Sequence, residues 1–302
     1  MTPKFFMLVG LPASGKSTYA EELANQYNAN IHASDSIREE LSGDINNQNI
    51  NDLVFKTLHS RVKEDLTNGK SCIYDATNIN YKRRMAFLNE LNKISCEKYC
   101  WVIATPYERC LRNNRNRDRQ VPEEVIERMY KHFDVPYYYE GWDFIDIKYA
   151  PNSQGYYDYP VNWLNAVKHY NQNNTHHSLS LGEHCNEAWK YLCENNGNLS
   201  VRIAGILHDC GKPFCKTFTN SKGEITEQAH YYQHERVGSY DSLFYAMICD
   251  PLDVAVLIRW HMQPYFWEKD NNEKSHNKYR KLWGEDLYKD IMLLHEADKN
   301  AH

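Results

Sequence analysis

The first apolar stretch of the chain, Phe5-Phe6-Met7-Leu8-Val9, is continuous rather than alternating, the pattern of a parallel strand buried on both faces. Tyr19-Ala20-Glu21-Glu22-Leu23-Ala24 then reads as a helix opening. Asn30-Ile31-His32-Ala33 is a short strand that runs into Ser34-Asp35-Ser36-Ile37-Arg38. A helical pattern over 51–68 stops at Gly69, 71–75 is the next strand, 81–92 is a helix carrying Lys82, Arg83 and Arg84, and 99–104 is a further strand. Strands and helices that alternate in this way predict a parallel sheet with helices on both faces. Phe144-Ile145-Asp146-Ile147-Lys148-Tyr149 alternates like an edge strand, and the turn-rich Ala150-Pro151-Asn152-Ser153-Gln154-Gly155 marks the join. The expected organisation is an α/β domain over 1–150, a linker over 151–162 and an all-α domain over 163–302, where the pattern is helical throughout.

Between the first strand and the first helix lies Gly10-Leu11-Pro12-Ala13-Ser14-Gly15-Lys16-Ser17-Thr18, which fits G-x-x-x-x-G-K-[ST] without a mismatch. Gly10 and Gly15 let the backbone curl so that the N–H groups through Ala13 and Ser14 point inward at a phosphate, and the following helix adds its positive end. Lys16 is suited to reach the terminal phosphates of ATP, and Ser17, with Thr18 beside it, to hold a magnesium ion. Asp35 and Arg38 sit one helical turn apart beside this cradle, a carboxylate placed to take a proton from an attacking hydroxyl and a guanidinium placed to bind an acceptor phosphate. Asp75, at the tip of a neighbouring strand, fits either a magnesium-organising carboxylate or a cap for the next helix. Five arginines fall within 109–119, and a lid closing over a triphosphate needs such guanidiniums.

The helical half carries a second set. His184 lies at a helix start, His208-Asp209 close a helix over 201–210 that Gly211 and Pro213 end, and His234, His261 and Asp298 come from three later segments. Imidazoles and carboxylates from several helices suit divalent metals with open positions for water and phosphate oxygens. His230, one helical turn before His234, is an alternative ligand or a phosphate contact, and His176 and His177 are left as surface residues in an Asn-rich loop.

Charge narrows the partners. With 35 Lys plus Arg against 40 Asp plus Glu the net charge is -5, so a globally basic nucleic-acid coat is absent and any polyanion is met by a local patch. Nine cysteines without a C-x-x-C pair point to reduced thiols. The N-terminus enters the first strand directly and no apolar run approaches the ~20 residues of a membrane span. The expectation is a cytoplasmic protein with no membrane partner.

Gly10 to Thr18, Asp35-x-x-Arg38, Asp75-Ala76-Thr77-Asn78 with Arg83-Arg84, the arginine-rich stretch, and Val121-Pro122 followed by Arg128-Met129-Tyr130 together resemble the 5′-hydroxyl polynucleotide kinases of the phage and bacterial RNA-repair type, over residues 1 to about 150. The resemblance implies Lys16 and Ser17 as donor-phosphate and magnesium residues, Asp35 as general base, Arg38 as acceptor-phosphate clamp, and Arg115 or Arg119 as lid residues. His184, His208-Asp209-Cys210-Gly211-Lys212-Pro213, His234, His261 and Asp298 resemble the HD phosphohydrolase superfamily over about 160–302. That resemblance implies a first metal on His184, His208, Asp209 and Asp298, a second completed by His234 and His261, Lys212 as a phosphate contact, and Mn, Ni, Co or Fe as the metal. Bifunctional repair proteins of this kind carry the HD half first, whereas here the kinase half leads. The implied function is healing of RNA or DNA ends, with ATP phosphorylating a 5′-OH and the HD site removing a 2′,3′-cyclic phosphate or 3′-phosphate; no ligase signature follows, so sealing falls to a separate ligase. The alternatives are a small-molecule or nucleotide kinase joined to a nucleotide phosphohydrolase, and a nucleotide-sensing regulator without turnover.

Overall fold

Strand β1 (Lys4–Val9) is buried from Phe5 onward, as a continuous apolar run requires of a strand covered on both faces. In the computed structural model, which describes residues 2–174, 178–270 and 273–301, β1 is the centre of a five-stranded parallel sheet. Its partners are β2 (Asn30–Ala33), β3 (Cys72–Asp75), β4 (Glu97–Ala104) and β5 (Phe144–Tyr149), in the order β2-β3-β1-β4-β5. The register sets Leu8 beside Asp75 on one side and Trp101 on the other, so the end of β3 lies next to the loop that leaves β1. β5 is an edge strand whose exposure alternates along much of its length.

The helices α1 (Lys16–Tyr27), α2 (Ser34–Ser42), α3 (Asn51–Thr67), α4 (Tyr81–Leu91), α5 (Tyr107–Arg115) and α6 (Glu123–Lys131) alternate with these strands. α4 buries Tyr81, Arg84, Phe87, Leu88 and Leu91, a stripe at helical spacing that includes a charge. Arg84 is only 1% exposed and grips Glu140 with two bonds, Nε to Oε2 at 2.7 Å and Nη2 to Oε1 at 2.6 Å. Its Nη1 donates to the Asn78 carbonyl at 2.8 Å, and Asn78 Nδ2 in turn donates to the Leu8 carbonyl at 2.8 Å. A residue of the basic Arg83-Arg84 pair is thus an internal strut.

The chain divides into two compact units, Met1–Met129 with Pro136–Pro151, and Tyr130–Val135 with Asn152–His302. The second contains α7 (Pro160–Ala166), α8 (Leu181–Glu194), α9 (Leu199–Leu207), α10 (Lys212–Cys215), α11 (His234–Ser242), α12 (Pro251–Trp260), α13 (Gln263–Asp270), α14 (Glu273–Trp283) and α15 (Glu285–Asn300). Side-chain caps set several of their starts: Ser180 and Glu183 form a reciprocal capping box at α8, Asn198 caps α9 and Asp250 caps α12. Ala188 and Leu192, Val201, Ala204 and Leu207, Val254 and Ile258, and Leu294 and Ala297 supply the core. No helix among the described residues is long and apolar enough to cross a membrane.

Two expectations for this half need correction. It is not helical throughout, because β6 (Thr217–Thr219) and β7 (Ile225–His230) form an antiparallel hairpin closed over Gly223 at φ 83°. Strands this short give too few alternating positions to stand out against helical neighbours. The helix ending at His208-Asp209 stops earlier, at Leu207, and Cys210 N–H bonds the Leu207 carbonyl in the turn that follows. Gly211 belongs to that turn, and a Cβ there would lie 2.2 Å from the His234 carbonyl oxygen and 2.6 Å from the Gly238 nitrogen. Only glycine lets α11 come so near.

Arg84→Ala is expected to lower unfolding stability by about 3–5 kcal/mol, read by urea denaturation, since it leaves Glu140 buried and unpaired. Gly211→Ala is expected to destabilise the second unit by at least the ~1–3 kcal/mol of an overpacked core, seen as a lowered thermal midpoint.

Candidate functional site

The loop from Gly10 to Thr18 takes its shape from two left-handed residues, Ala13 at φ 60° and Gly15 at φ 98°. A Cβ on Gly10 would meet Ser14 Oγ at 2.7 Å and the Ile103 carbonyl at 3.0 Å, so the loop lies flat on β4. Gly10 N–H bonds the Thr77 carbonyl at 3.1 Å, Thr105 Oγ1 donates to the Ser14 carbonyl at 2.8 Å, and Asn113 Nδ2 donates to the Ala13 carbonyl at 3.0 Å. Thr105 and Asn113 have no fixed spacing from the loop and are invisible as its supports in the sequence. No side chain caps the start of α1, which leaves its first N–H groups to an anion.

Lys16 Nζ, nearly buried, folds back on the Leu11 carbonyl at 2.7 Å. Burial pushes its ammonium below the ordinary lysine value, with Asp75 opposing the shift. Ser17 Oγ donates to Asp75 Oδ2 at 2.9 Å, and burial raises the Asp75 carboxyl against the pull of Lys16. Of the two readings of Asp75, the helix cap is excluded: Asn80 caps α4, accepting from Arg83 N–H at 3.1 Å.

Asp35 and Arg38 do share a site. Arg38 Nη1 meets Asp35 Oδ1 at 2.7 Å, and its Nη2 donates to Asn51 Oδ1 at 2.8 Å, while its Nε is buried without a partner. The other carboxylate oxygen is held by Arg119, whose Nη1 lies 2.6 Å from Asp35 Oδ2 and whose Nε donates to Asn46 Oδ1 at 2.9 Å. Arg115 goes elsewhere, to the exposed Glu123 at 2.6 Å. Arg117, which sequence spacing does not single out, acts electrostatically on both Lys16 and Asp75.

In the second unit six predicted residues meet. His184 comes from α8, His208 and Asp209 from the turn after α9, His234 from the first position of α11, His261 from the residue after α12, and Asp298 from α15. All are buried. His208, His234 and His261 each donate Nδ1–H to the carbonyl three residues earlier, Gly205 at 2.9 Å, Tyr231 at 2.8 Å and Ile258 at 2.7 Å. His184 Nδ1 donates to the Ala301 carbonyl at 2.8 Å. With a carbonyl as partner each Nδ1 must be the donor, so all four Nε2 atoms face the cluster.

They form two groups around one carboxylate. His184 Nε2 lies 3.1 Å from His208 Nε2 and 3.0 Å from Asp298 Oδ1, and these two imidazoles are 3.6 and 3.4 Å from Asp209 Oδ2. His234 Nε2 lies 3.3 Å from His261 Nε2, and they are 3.2 and 3.9 Å from Asp209 Oδ1. Each group is a donor set of nitrogen and oxygen that could hold a divalent ion. Lys212 Nζ sits 2.6 Å from Asp209 Oδ2 and 2.8 Å from the buried Gln172 Oε1. Although burial opposes ionisation, Lys212 holds the Asp209 carboxyl well below its ordinary range, and the adjoining His184 and His208 rings do the same for Asp298. Burial, then His234 and His208, push His261 down to about 3.

His230 stands apart from the cluster. It ends β7 rather than preceding His234 by a helical turn, its Nε2 lies 3.0 Å from Thr226 Oγ1, and it stacks on Tyr232. His176 and His177 lie outside the described residues.

Residues 5–136 match the family model described as AAA domain. Over 146 residues the chain is 29% identical to the L-seryl-tRNA(Sec) kinase of Methanococcus maripaludis, a match that takes in 47% of this chain and 56% of that kinase. The chain thus spans little more than half the length of that curated relative. Among solved structures it is similar to a chain of the Pnkp1/Rnl/Hen1 RNA repair complex, at 22% identity and a TM-score of 0.37 over 42% of this chain and 43% of that one. It is also similar to a gluconokinase from Sinorhizobium meliloti 1021, at 12% identity and a TM-score of 0.36 over 50% and 85% of the two chains. The matched region contains β1 from Phe5 onward through β4, the phosphate cradle and Asp35, and the N-terminal region of this chain is similar to P-loop domains of the AAA type and to a kinase.

Proposed function

We propose that the N-terminal unit moves the terminal phosphoryl group of ATP onto the 5′-hydroxyl of an RNA or DNA end, and that the second unit is an HD-type phosphohydrolase that removes a 2′,3′-cyclic phosphate or 3′-phosphate. The observation that carries this reading is the convergence of four imidazole Nε2 atoms and two carboxylates on the same chain as a phosphate cradle with an arginine-flanked carboxylate. A kinase alone has no use for the first, and a phosphohydrolase alone has none for the second.

In the kinase half, loop amides and Lys16 bind the donor phosphates, and Ser17 with Asp75 would hold magnesium. Arg38 is held by Asn51 and has a spare buried Nε, which suits a fixed clamp for the phosphate next to the attacking hydroxyl. Asp35 takes the hydroxyl proton as the new P–O bond forms and the bond to the β-phosphate oxygen breaks, releasing ADP. Arg119 is the lid residue of this reading, since a triphosphate offers its guanidinium a more highly charged partner than Asp35.

In the second unit, His184, His208 and Asp298 with Asp209 Oδ2 would hold one ion, and Asp209 Oδ1 with His234 and His261 a second. Mn, Ni, Co or Fe suits such nitrogen and oxygen donors, and supplies an ionised water as nucleophile at neutral pH. Lys212 neutralises phosphate charge beside Asp209. A separate ligase would join the healed ends. The likeness to L-seryl-tRNA(Sec) kinase supports a second reading for the first unit, in which the acceptor hydroxyl belongs to an aminoacyl group carried by tRNA.

Incubation with ATP, manganese and RNA bearing 5′-OH and 2′,3′-cyclic phosphate ends is expected to yield 5′-phosphate and dephosphorylated 3′ ends; in a parallel incubation with seryl-tRNA, phosphate appearing on that acceptor and not on the RNA end supports the second reading. Lys16→Ala and Asp35→Ala are expected to lower 5′ phosphorylation at least ~10²-fold, with ATP binding retained in Asp35→Ala. His208→Ala and Asp209→Ala should abolish 3′ processing and spare the kinase. A chelator should abolish 3′ processing as those two variants do, with manganese restoring it. Because protons compete for the imidazoles and carboxylates, the metal affinity is expected to fall as pH falls; full 3′ processing in chelated protein would refute the metal assignment.

A further inference from the structure

Asp298 is engaged on both oxygens. Oδ1 faces His184 Nε2 at 3.0 Å and His208 Nε2 at 3.6 Å, while Oδ2 accepts a hydrogen bond from Tyr265 Oη at 3.1 Å. Tyr265 is held in place by a second polar pair one turn along the same two helices. Glu268 follows Tyr265 on α13, His295 precedes Asp298 on α15, and His295 Nε2 lies 3.0 Å from Glu268 Oε1. The Tyr265 ring meets the buried His295 ring edge-on with centroids 4.4 Å apart, and Lys299 Nζ backs Glu268 at 3.1 Å. Tyr265 and Glu268 on one helix thus face Asp298 and His295 on the other.

The remaining members of the cluster each have an outer partner of their own: a backbone carbonyl for each of the four imidazoles, and Lys212 for Asp209. An aspartate carboxylate without such a partner turns about its last torsion, and Asp298 is the residue that a bond from outside has to stop. A phenol keeps its proton at neutral pH and a carboxylate oxygen can only accept, so Tyr265 Oη is the donor in this bond. We propose that Tyr265 is a positioning residue, whose hydroxyl holds Asp298 Oδ2 so that Oδ1 stays aimed between His184 and His208. The inference rests on the reading of this cluster as a divalent-metal site, and it assigns to α13 a part in that site. It is also selective, because the group formed by Asp209 Oδ1, His234 and His261 makes no use of Asp298.

The test is manganese binding to the chelator-stripped 302-residue chain, followed by the electron paramagnetic resonance of free Mn²⁺. Tyr265→Phe keeps the ring on His295 and deletes only the hydroxyl. It is expected to weaken manganese binding at least about 10-fold in a His234→Ala background, which leaves the first group as the binding site. Added to Asp298→Ala, it is expected to change nothing further, since it acts only through that carboxylate. The unfolding midpoint of the metal-free protein and 5′ phosphorylation should stay as in the parent. Unchanged manganese affinity in Tyr265→Phe overturns the inference and leaves the metal site standing. An equal loss on top of Asp298→Ala, or a fall in metal-free stability that accounts for the lost affinity, overturns it as well. A parent protein that binds no manganese overturns the reading of the cluster itself.

Discussion

Charge taken out of water has to be answered within a few ångströms, and both units are arranged around that requirement. In the first, Glu140 is met by two bonds from Arg84, Asp75 by Ser17 and the field of Lys16, and the buried Arg38 by Asp35 and Asn51. In the second, Asp209 is met by Lys212 on one side and by imidazoles on both of its oxygens. Neutral packing alone would stabilise such cores as well or better. Groups kept at this expense serve to hold particular atoms in particular places.

The placing is done largely by backbone. Three imidazoles of the second unit bond the carbonyl three residues before them, and two of these carbonyls belong to the last turn of a helix, where no intrahelical partner exists. One bond therefore finishes a helix and fixes a tautomer together. The close approach at Gly211 then brings the start of α11 to the turn that carries Asp209. In the first unit the parallel register of β1 with β3 has the same effect, setting Asp75 at the level where α1 begins. Thr77, Thr105 and Asn113 tie the loop between them to three different segments, so the cradle is shaped in advance of any phosphate.

On the function proposed above, phosphate chemistry joins the two halves through a shared need and opposite solutions. The cradle offers dipoles and guanidiniums, suited to a ligand that arrives with its own magnesium and leaves one phosphate lighter. The buried cluster offers fixed lone pairs, suited to ions that remain while substrates come and go. Under the proposed function, an RNA break with a 5′-hydroxyl on one side and a blocked 3′ terminus on the other requires both.

By itself the sequence determined the elements whose signal is local. The run Phe5 to Val9 could only be an inner strand, the spacing from Gly10 to Ser17 dictated a phosphate loop, and Asp35 and Arg38 one turn apart met as a helix makes them meet. The His and Asp set was legible as a set because its residue types are rare together. Tertiary structure decided everything that depends on which distant side chains approach. It sent Arg119 and not Arg115 to Asp35, gave the α4 cap to Asn80 rather than Asp75, drew Arg84 inside, split the last segments with a hairpin and left His230 at its edge. It also set Asp209 between the two imidazole pairs, within 4 Å of both, and Tyr265 behind Asp298. Helix crossings and strand register fix such meetings, and neither is written in the period of a short stretch of chain.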